Sequence, residues 1–187
     1  AGIRVFATGG IGGVHRGAEL SFDISADLQE LAQTPVTVVA AGAKAILDLA
    51  KTYEVLETLG VPVIAFGQDM LPAFWSASSD MAAPLRMDSA SDIARAQMTR
   101  TAMGLSGGQL IANPIPKDAE IPANVLRPII DQALKEADAQ GVSAKAVTPF
   151  LLGRIFELTD GQSLTANIAL VRNNARLAAQ IAIAMGK

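Results

Sequence analysis

Cysteine is absent from this 187-residue chain, and aromatic residues make up only 4% of it. The lack of cysteine excludes disulfides, thiolate metal sites and a cysteine nucleophile. Because 50% of the residues are hydrophobic but few of these are aromatic, the core must consist mainly of Ala, Val, Ile and Leu. Such a core is typical of a parallel sheet covered by helices. The length suits one domain, so we predict a single α/β domain over residues 1–187.

A basic surface, a long apolar run and a leader are also missing. The formal net charge of −3 argues against electrostatic binding to nucleic acid. No apolar run reaches the roughly 18 residues that span a bilayer, and no basic region precedes the first apolar segment, so no signal peptide is visible. We therefore expect a soluble, cytoplasmic protein that partners neither nucleic acid nor membrane. The chain lacks an initiator Met, and a truncated or processed protein would look the same.

Short apolar runs alternate with helical periodicity in the first part of the chain. The runs Ile3–Ala7, Val36–Ala41 and Val61–Phe66 predict strands, with helices over 26–33 and 43–59 between them. Strand, helix and strand at this spacing indicate parallel pairing with right-handed crossovers. The remaining pattern predicts an irregular stretch over 73–87, a strand over 109–112, and helices over 92–103, 123–139, 149–158 and 164–184.

A glycine-dense connection, Thr8–Gly17, follows the first predicted strand and contains the only histidine, His15. Glycines let a backbone approach a ligand and expose N–H groups to anionic oxygens, although this segment is neither a P-loop nor a dinucleotide fingerprint. The alternative is a mobile surface loop. Since parallel sheets bind ligands at the carboxyl ends of their strands, we predict one crevice that collects the following side chains: His15, Asp23, Asp27, Lys44 and Asp69.

The acidic residues after this connection allow two interpretations. Asp23 lies outside the predicted helix, and a single carboxylate completed by water or substrate is how Mg²⁺ or Mn²⁺ often binds. Ser25 and Asp27 have a structural alternative, because Ser25 is the predicted N-cap and Asp27 complements the helix dipole.

Lys44 has the best physical case for catalysis. It falls in the first turn of a predicted helix and directly after an apolar strand. Both positions disfavour the charged ammonium, and a neutral lysine is a nucleophile toward carbonyl carbon. The alternative is a solvated lysine whose stem covers apolar surface.

Three asparagines, Asn167, Asn173 and Asn174, interrupt the last apolar helix. Asn167 and Asn174 share a face. Buried amides need partners, so these residues either fix a helix or subunit contact or reach a ligand, and their spacing favours the structural role.

These residues stand in motifs that resemble the pseudouridine-5′-phosphate glycosidase family, also called indigoidine synthase A-like. The resemblance covers essentially the whole chain. Its motifs, in chain order, are Phe6–Gly17, Phe22–Leu28, Ala41–Lys44, Ala112–Pro116, Thr148–Leu152 and Ser163–Val171.

The resemblance implies a three-layer α/β/α sandwich that forms a homotrimer and reversibly cleaves pseudouridine 5′-phosphate to uracil and ribose 5-phosphate. It implies that Lys44 forms a Schiff base with the opened ribose and that Asp23 binds Mn²⁺ or another divalent cation. The remaining implied site residues are the substrate contacts Ser25, Ala26 and Asp27 and the cavity-lining Thr8, His15 and Asn167. A lysine nucleophile suits this bond, because a C–C glycosidic bond has no leaving oxygen for ordinary carboxylate catalysis to protonate.

One part of the family pattern is missing. Family members are longer, and their amino-terminal part carries a glutamate proton donor and a substrate-contacting lysine that no residue here matches. We therefore expect the 187 residues alone to be inactive on pseudouridine 5′-phosphate, with His15 the first alternative acid if they are active. The competing functions are a Schiff-base lyase of aldolase type acting on another phosphorylated sugar and a non-catalytic sugar-phosphate-binding fragment.

Overall fold

A computed structural model describes residues 2–142 and 146–186 of the chain. Its strands are β1 Val5–Ala7, β2 Thr37–Ala40, β3 Val63–Phe66, β4 Leu85–Met87 and β5 Gln109–Ala112. They form one sheet in the order β1-β2-β5-β3-β4, in which every neighbouring pair is parallel. The predicted parallel sheet is confirmed, and the carboxyl ends of β1 and β2 lie side by side.

The helices of the described ranges connect these strands and extend beyond the last of them. They are α1 Ala18–Ser21, α2 Asp27–Gln33, α3 Leu49–Thr58, α4 Ala90–Ala102, α5 Ala123–Ala139, α6 Val147–Leu158 and α7 Gln162–Met185, with a 3₁₀ turn at Lys117–Ala119. Within the part of the chain that the structure describes, no helix is both long enough and apolar enough to cross a bilayer.

Apolar side chains cover both faces of the sheet. On one face, helices α4 and α7 pack Ile93 and Ile181 against the strands, where Ile64 and Ile111 are buried. On the other face, a larger cluster joins the sheet to α2, α3, α5 and α6, with Leu110 fully buried in it. Strands buried on both faces need continuous apolar sequence, and the α/β/α arrangement of helices around the sheet is confirmed.

The main error of the sequence prediction lies between β2 and α3. A helix was predicted from Ala43, but α3 begins at Leu49, where Asp48 has extended dihedrals and its carboxylate accepts the Lys51 N–H at 3.1 Å. Residues 43–48 form an irregular segment that buries Ile46 and Leu47 in the core. The apolar residues of this buried loop happen to have the spacing of a helix, because their positions are apolar for burial in the core and not for helix formation.

Smaller differences concern helix starts and the edge strand. Helix α6 begins at Val147, so the predicted N-cap Thr148 is wrong. Helix α2 begins at Asp27, after Ala26, although the Ser25 hydroxyl does accept the Asp27 N–H at 3.2 Å. Strand β4 lies at the end of the stretch predicted to be irregular and had no signal of its own.

Candidate active site

A cavity of about 720 Å³ lies along β1 and β2 and reaches their carboxyl ends. Four of the predicted site residues line it: Thr8, Asp27, Lys44 and Asn167. They come from the loop after β1, the first turn of α2, the segment after β2, and α7. The rule that ligands bind at the carboxyl ends of parallel strands therefore located a real cavity.

The main chain of the glycine-dense loop places Lys44 in this cavity. Ile11 forms a parallel bridge with Ala43. Its N–H donates to the Gly42 carbonyl and its carbonyl accepts the Lys44 N–H, both at 3.1 Å. Lys44 itself is half-buried. Among residues 2–142 and 146–186, no carboxylate lies within 4.0 Å of its ammonium, so no ion pair there holds the amine.

The structure contradicts the helix-dipole argument for Lys44. The residue lies in the irregular segment before α3, and its carbonyl accepts the Leu47 N–H at 3.0 Å in a tight turn. What supports a reactive amine is instead its position: it lines a cavity, beside polar side chains from three other segments.

The glycines at the centre of the loop allow close packing against the protein itself. A Cβ at Gly12 would lie 2.2 Å from the Ser25 hydroxyl, and one at Gly13 would lie 2.4 Å from Oγ1 of Thr52. The Gly12 N–H donates to the Asp27 carboxylate at 2.7 Å. Gly12 and Gly13 are thus needed for packing within the protein, and the Gly12 N–H is already bonded to the Asp27 carboxylate.

Ser25, Ala26 and Asp27 form the entry to α2 and are tied to the same loop. The Ser25 N–H donates to the Gly13 carbonyl at 2.9 Å. Ser25 is half-buried, whereas Ala26 and Asp27 are exposed. Of these three predicted contacts, only Asp27 reaches the lining of the cavity in the described structure.

His15 and Asp23 form a separate pair, outside the described lining of the cavity. Their main chains are joined by a hydrogen bond from the His15 N–H to the Asp23 carbonyl at 3.0 Å, and His15 Nδ1 lies 3.9 Å from Asp23 Oδ2. Neither is among the described residues that line the cavity. Nor do the described ranges contain a group of three or more His, Asp or Glu residues that could hold a metal. The metal site predicted at Asp23 needs only one carboxylate, completed by water or substrate, so this finding does not test it and it stays a prediction.

Asp69 does not join the predicted crevice. It follows β3, is 80% exposed at its side chain, and pairs with Arg86 of β4 at 3.0 Å. The prediction was wrong because β3 and β4 lie at the opposite end of the sheet from β1.

Two features of the site were missed. Phe74 lines the cavity, donates its N–H to the Ala41 carbonyl at 2.9 Å, and stacks edge-on against Trp75. No periodicity in its segment indicated this position. The second feature is a buried contact between Asn113 and Asn174, for which the apolar surroundings of both residues were the only available signal.

Taken together, these features define a parallel α/β/α protein whose strand-end cavity contains a lysine. The comparison with known proteins narrows this class. Residues 1–184 match the family model described as indigoidine synthase A like protein, and the chain belongs to that family.

Relatives of known name and structure agree with this membership. The chain is 76% identical over 185 residues to the pseudouridine-5′-phosphate glycosidase of Paracoccus denitrificans (strain Pd 1222) and 72% identical to that of Jannaschia sp. (strain CCS1). The alignments cover 99% of this chain and 61% of each relative, so the chain spans about three fifths of their length.

Two solved structures share the fold. The prealnumycin C-glycosynthase in complex with ribulose 5-phosphate has a TM-score of 0.92 and 37% identity, over 98% of this chain and 61% of its own. An indigoidine synthase A-like protein of Thermotoga maritima has a TM-score of 0.90 and 35% identity, over 100% of this chain and 61% of its own.

Proposed function

We propose that this chain carries the nucleophile half of a pseudouridine-5′-phosphate glycosidase, which reversibly cleaves pseudouridine 5′-phosphate to uracil and ribose 5-phosphate. The observation that carries the proposal is the cavity in which Lys44 meets Thr8, Asp27 and Asn167. The names of the relatives support the reaction, and the ribulose 5-phosphate bound to the C-glycosynthase supports a pentose phosphate as the sugar.

In this proposal Lys44 supplies the nucleophilic amine. The amine attacks the C1 aldehyde carbon of open-chain ribose 5-phosphate, and loss of water leaves an iminium. Uracil C5 then bonds to that carbon and gives up its proton, which leaves C1 joined to the lysine nitrogen as a secondary amine. The sugar O4 hydroxyl replaces the amine at C1, passes its proton to it and closes the ring of the C-glycoside. In the cleavage direction the lysine amine first replaces the ring oxygen at C1, which opens the ribose ring. The nitrogen lone pair then forms the iminium as the electrons of the C–C bond pass to uracil, which takes a proton at C5. Water hydrolyses the iminium to release the sugar and the free amine.

The polar residues around Lys44 orient the sugar phosphate. Asn167 and Thr8 offer amide and hydroxyl groups to the sugar hydroxyls. We also assign the substrate contacts Ser25, Ala26 and Asp27 to this proposal, with Asp27 holding the loop through its bond from the Gly12 N–H. The proton for uracil comes from a glutamate outside this chain, as the family resemblance implies.

Mn²⁺ or another divalent cation belongs to the proposal through Asp23. The carboxylate is partly exposed, with 42% of its side chain accessible, and the His15 ring stands beside it. One accessible carboxylate fits a cation that keeps most of its water. A bound cation there would supply positive charge for anionic substrate groups, while Asp23 would hold it and His15 would orient Asp23.

We include a homotrimer and a cytoplasmic location in the same proposal. Support for an assembly comes from α1 and the residue after it, where Leu20 is 90% exposed and Phe22 is 83% exposed with a left-handed φ of 54°. Large apolar side chains held this far out of the core mark an interaction surface. Phe22→Ser is expected to reduce the mass in sedimentation equilibrium, whereas Ile183→Ser, at an exposed position of α7, is not.

Trapping with borohydride tests the nucleophile. The chain is incubated with ribose 5-phosphate, reduced, digested and analysed by mass spectrometry. We expect one pentitol phosphate adduct, on Lys44, and none in Lys44→Ala. Lys51 is the matched control, because it follows closely in sequence but is ion-paired with Glu19 at 2.8 Å. Lys51→Ala should still form the adduct. An adduct on another lysine contradicts the proposal.

The effect of added uracil distinguishes this function from that of an aldolase-type lyase or a sugar-phosphate-binding fragment. Once trapping shows the iminium on Lys44, added uracil should react with that iminium in competition with borohydride and lower the yield of the reduced adduct. A binding fragment would bind ribose 5-phosphate without any adduct. An aldolase-type enzyme would form the adduct but show no effect of uracil.

A further inference from the structure

A chain of buried amides joins α7 to the strand ends beneath the candidate active site. Asn174 is 1% exposed and Asn113, which follows β5, is 3% exposed. The Asn113 side-chain amide donates to the Asn174 Oδ1 at 2.9 Å. The Asn174 amide in turn donates to the main-chain carbonyls of Thr8 at 2.8 Å and Gly9 at 3.3 Å.

The two carbonyls belong to the start of the glycine-dense loop. The Thr8 N–H is already bonded to the Val39 carbonyl at 3.0 Å, and the Gly9 carbonyl also accepts the Ala41 N–H at 2.8 Å. Asn174 therefore completes a set of bonds that holds this backbone between β1 and β2. Without that amide, the Thr8 carbonyl would lose this partner in a partly buried position, which costs free energy and favours a shift of the backbone.

The backbone held in this way is the wall of the cavity. Thr8 and Gly9 line it, and the Asn167 side chain lies against Gly9, with its Oδ1 3.2 Å from the place of a Cβ. Asn167 and Asn174 lie on one face of α7, so one residue of the pair reaches the cavity while the other fixes the wall beneath it.

We propose that Asn174, supported by Asn113, is a positioning residue that fixes the Thr8–Gly9 backbone for binding of a pentose phosphate. It touches no substrate and acts through Thr8 and Asn167. The inference rests on the proposed function for its ligand, but the position of the backbone is testable without it.

The test compares Asn174→Asp with Asn173→Asp. Both changes remove one amide donor from the same helix. Asn173 is the matched control, because its amide donates to the Pro114 carbonyl at 3.0 Å and, in the described structure, to no residue of the glycine-dense loop. In Asn174→Asp one carboxylate oxygen still accepts from Asn113, but the other replaces the amide donor and places an acceptor opposite the two carbonyls, so we expect the Thr8–Gly9 backbone to shift.

Hydrogen exchange gives the readout that is independent of function. In Asn174→Asp the Thr8 and Ala41 amides should exchange faster, while in Asn173→Asp they should keep the rate of the unchanged chain. Equal exchange in all three proteins at these amides overturns the proposal. If Asn174→Asp does not fold, Asn113→Ala, which removes only the supporting donor, takes its place and is expected to speed the same two amides.

Trapping with ribose 5-phosphate gives the functional readout. We expect the half-saturating sugar concentration to rise by about 10-fold in Asn174→Asp, which is what the loss of one or two well-placed hydrogen bonds to the sugar costs in affinity, with no such change in Asn173→Asp. A merely structural loss would lower the amount of adduct at saturation and leave half-saturation unchanged, which overturns the positioning role. If the unchanged chain forms no adduct at all, the proposed function fails, and hydrogen exchange alone decides the role of Asn174.

Discussion

Lys44 donates its main-chain N–H to the carbonyl of Ile11, at 3.1 Å, across a parallel bridge between two segments that both follow strands. The glycine-dense loop is therefore not a separate lid over the lysine but part of its support. Asn174 holds the same loop from below through Thr8. A disturbance of the loop backbone is expected to reach both Lys44 and the wall of the cavity that it lines.

Removal of the Asp23 carboxylate should weaken binding of Mn²⁺. We expect Asp23→Asn to lose more affinity than the roughly 10–100-fold that loss of an outer-shell partner costs, because Asp23 is the proposed protein ligand. Free Mn²⁺ is measured by electron paramagnetic resonance, without any turnover. Asp80→Asn is the control, since that side chain is 97% exposed. Equal affinity in both variants would remove Asp23 from the proposal.

Packing of the loop predicts opposite effects for two glycines. Gly13→Ala places a Cβ 2.4 Å from Thr52 Oγ1, which also accepts the Val14 N–H at 2.9 Å. Such overpacking lowers the free energy of unfolding by about 1–3 kcal/mol. Gly153 lies within α6, and in the described part of the chain no atom apart from the nearby backbone of α6 itself lies within 4 Å of an added Cβ.

For Gly153→Ala we expect a gain of about 0.5–1 kcal/mol, because alanine loses less backbone entropy in a helix. Urea unfolding of both variants measures the difference. A loss in Gly153→Ala as large as that in Gly13→Ala would mean that loop crowding is not the cause.

The sequence predicted the sheet and the location of the cavity because both depend on repeating features. Apolar runs between helical segments mark parallel strands, and the strand-end rule then brings Thr8 and Lys44 to one edge. The sequence could not predict that Asp69 would face Arg86, since β4 is a short edge strand of three residues with no distinctive pattern. Nor could it separate a buried irregular segment after Gly42 from a helix, because both bury apolar residues at similar spacing.

Measurements of turnover should distinguish the role proposed for Lys44 from that of the proton donor. We expect the 187-residue chain to form the Lys44 adduct but to cleave pseudouridine 5′-phosphate far more slowly than the full-length Paracoccus denitrificans relative, since general acid catalysis contributes about 10²–10⁴-fold. Addition of the amino-terminal segment of that relative as a separate peptide should restore part of the rate. Comparable rates for the chain alone and the relative would mean that an acid within this sequence acts, and His15→Ala would then be the variant to measure.

Tyr53 offers a pH test of the segment that carries Lys44. It is the only tyrosine of the chain and is buried, and its hydroxyl accepts the Ala43 N–H at 3.4 Å. Burial raises the pKa of Tyr53 from 10.0 to about 12, against a smaller lowering by that hydrogen bond. The folded state therefore keeps its phenol proton where the unfolded state has lost it. Stability is unaffected by this group below pH 10, and about 3 kcal/mol is lost as the pH rises from 10 toward 12.

The ultraviolet absorbance of the phenolate should titrate near pH 12 in the folded chain, and in Tyr53→Phe the fall in stability over this interval should be smaller. Titration of the folded chain near pH 10 would show that the hydroxyl is open to water and that the Ala43–Lys44 segment does not pack on it as described.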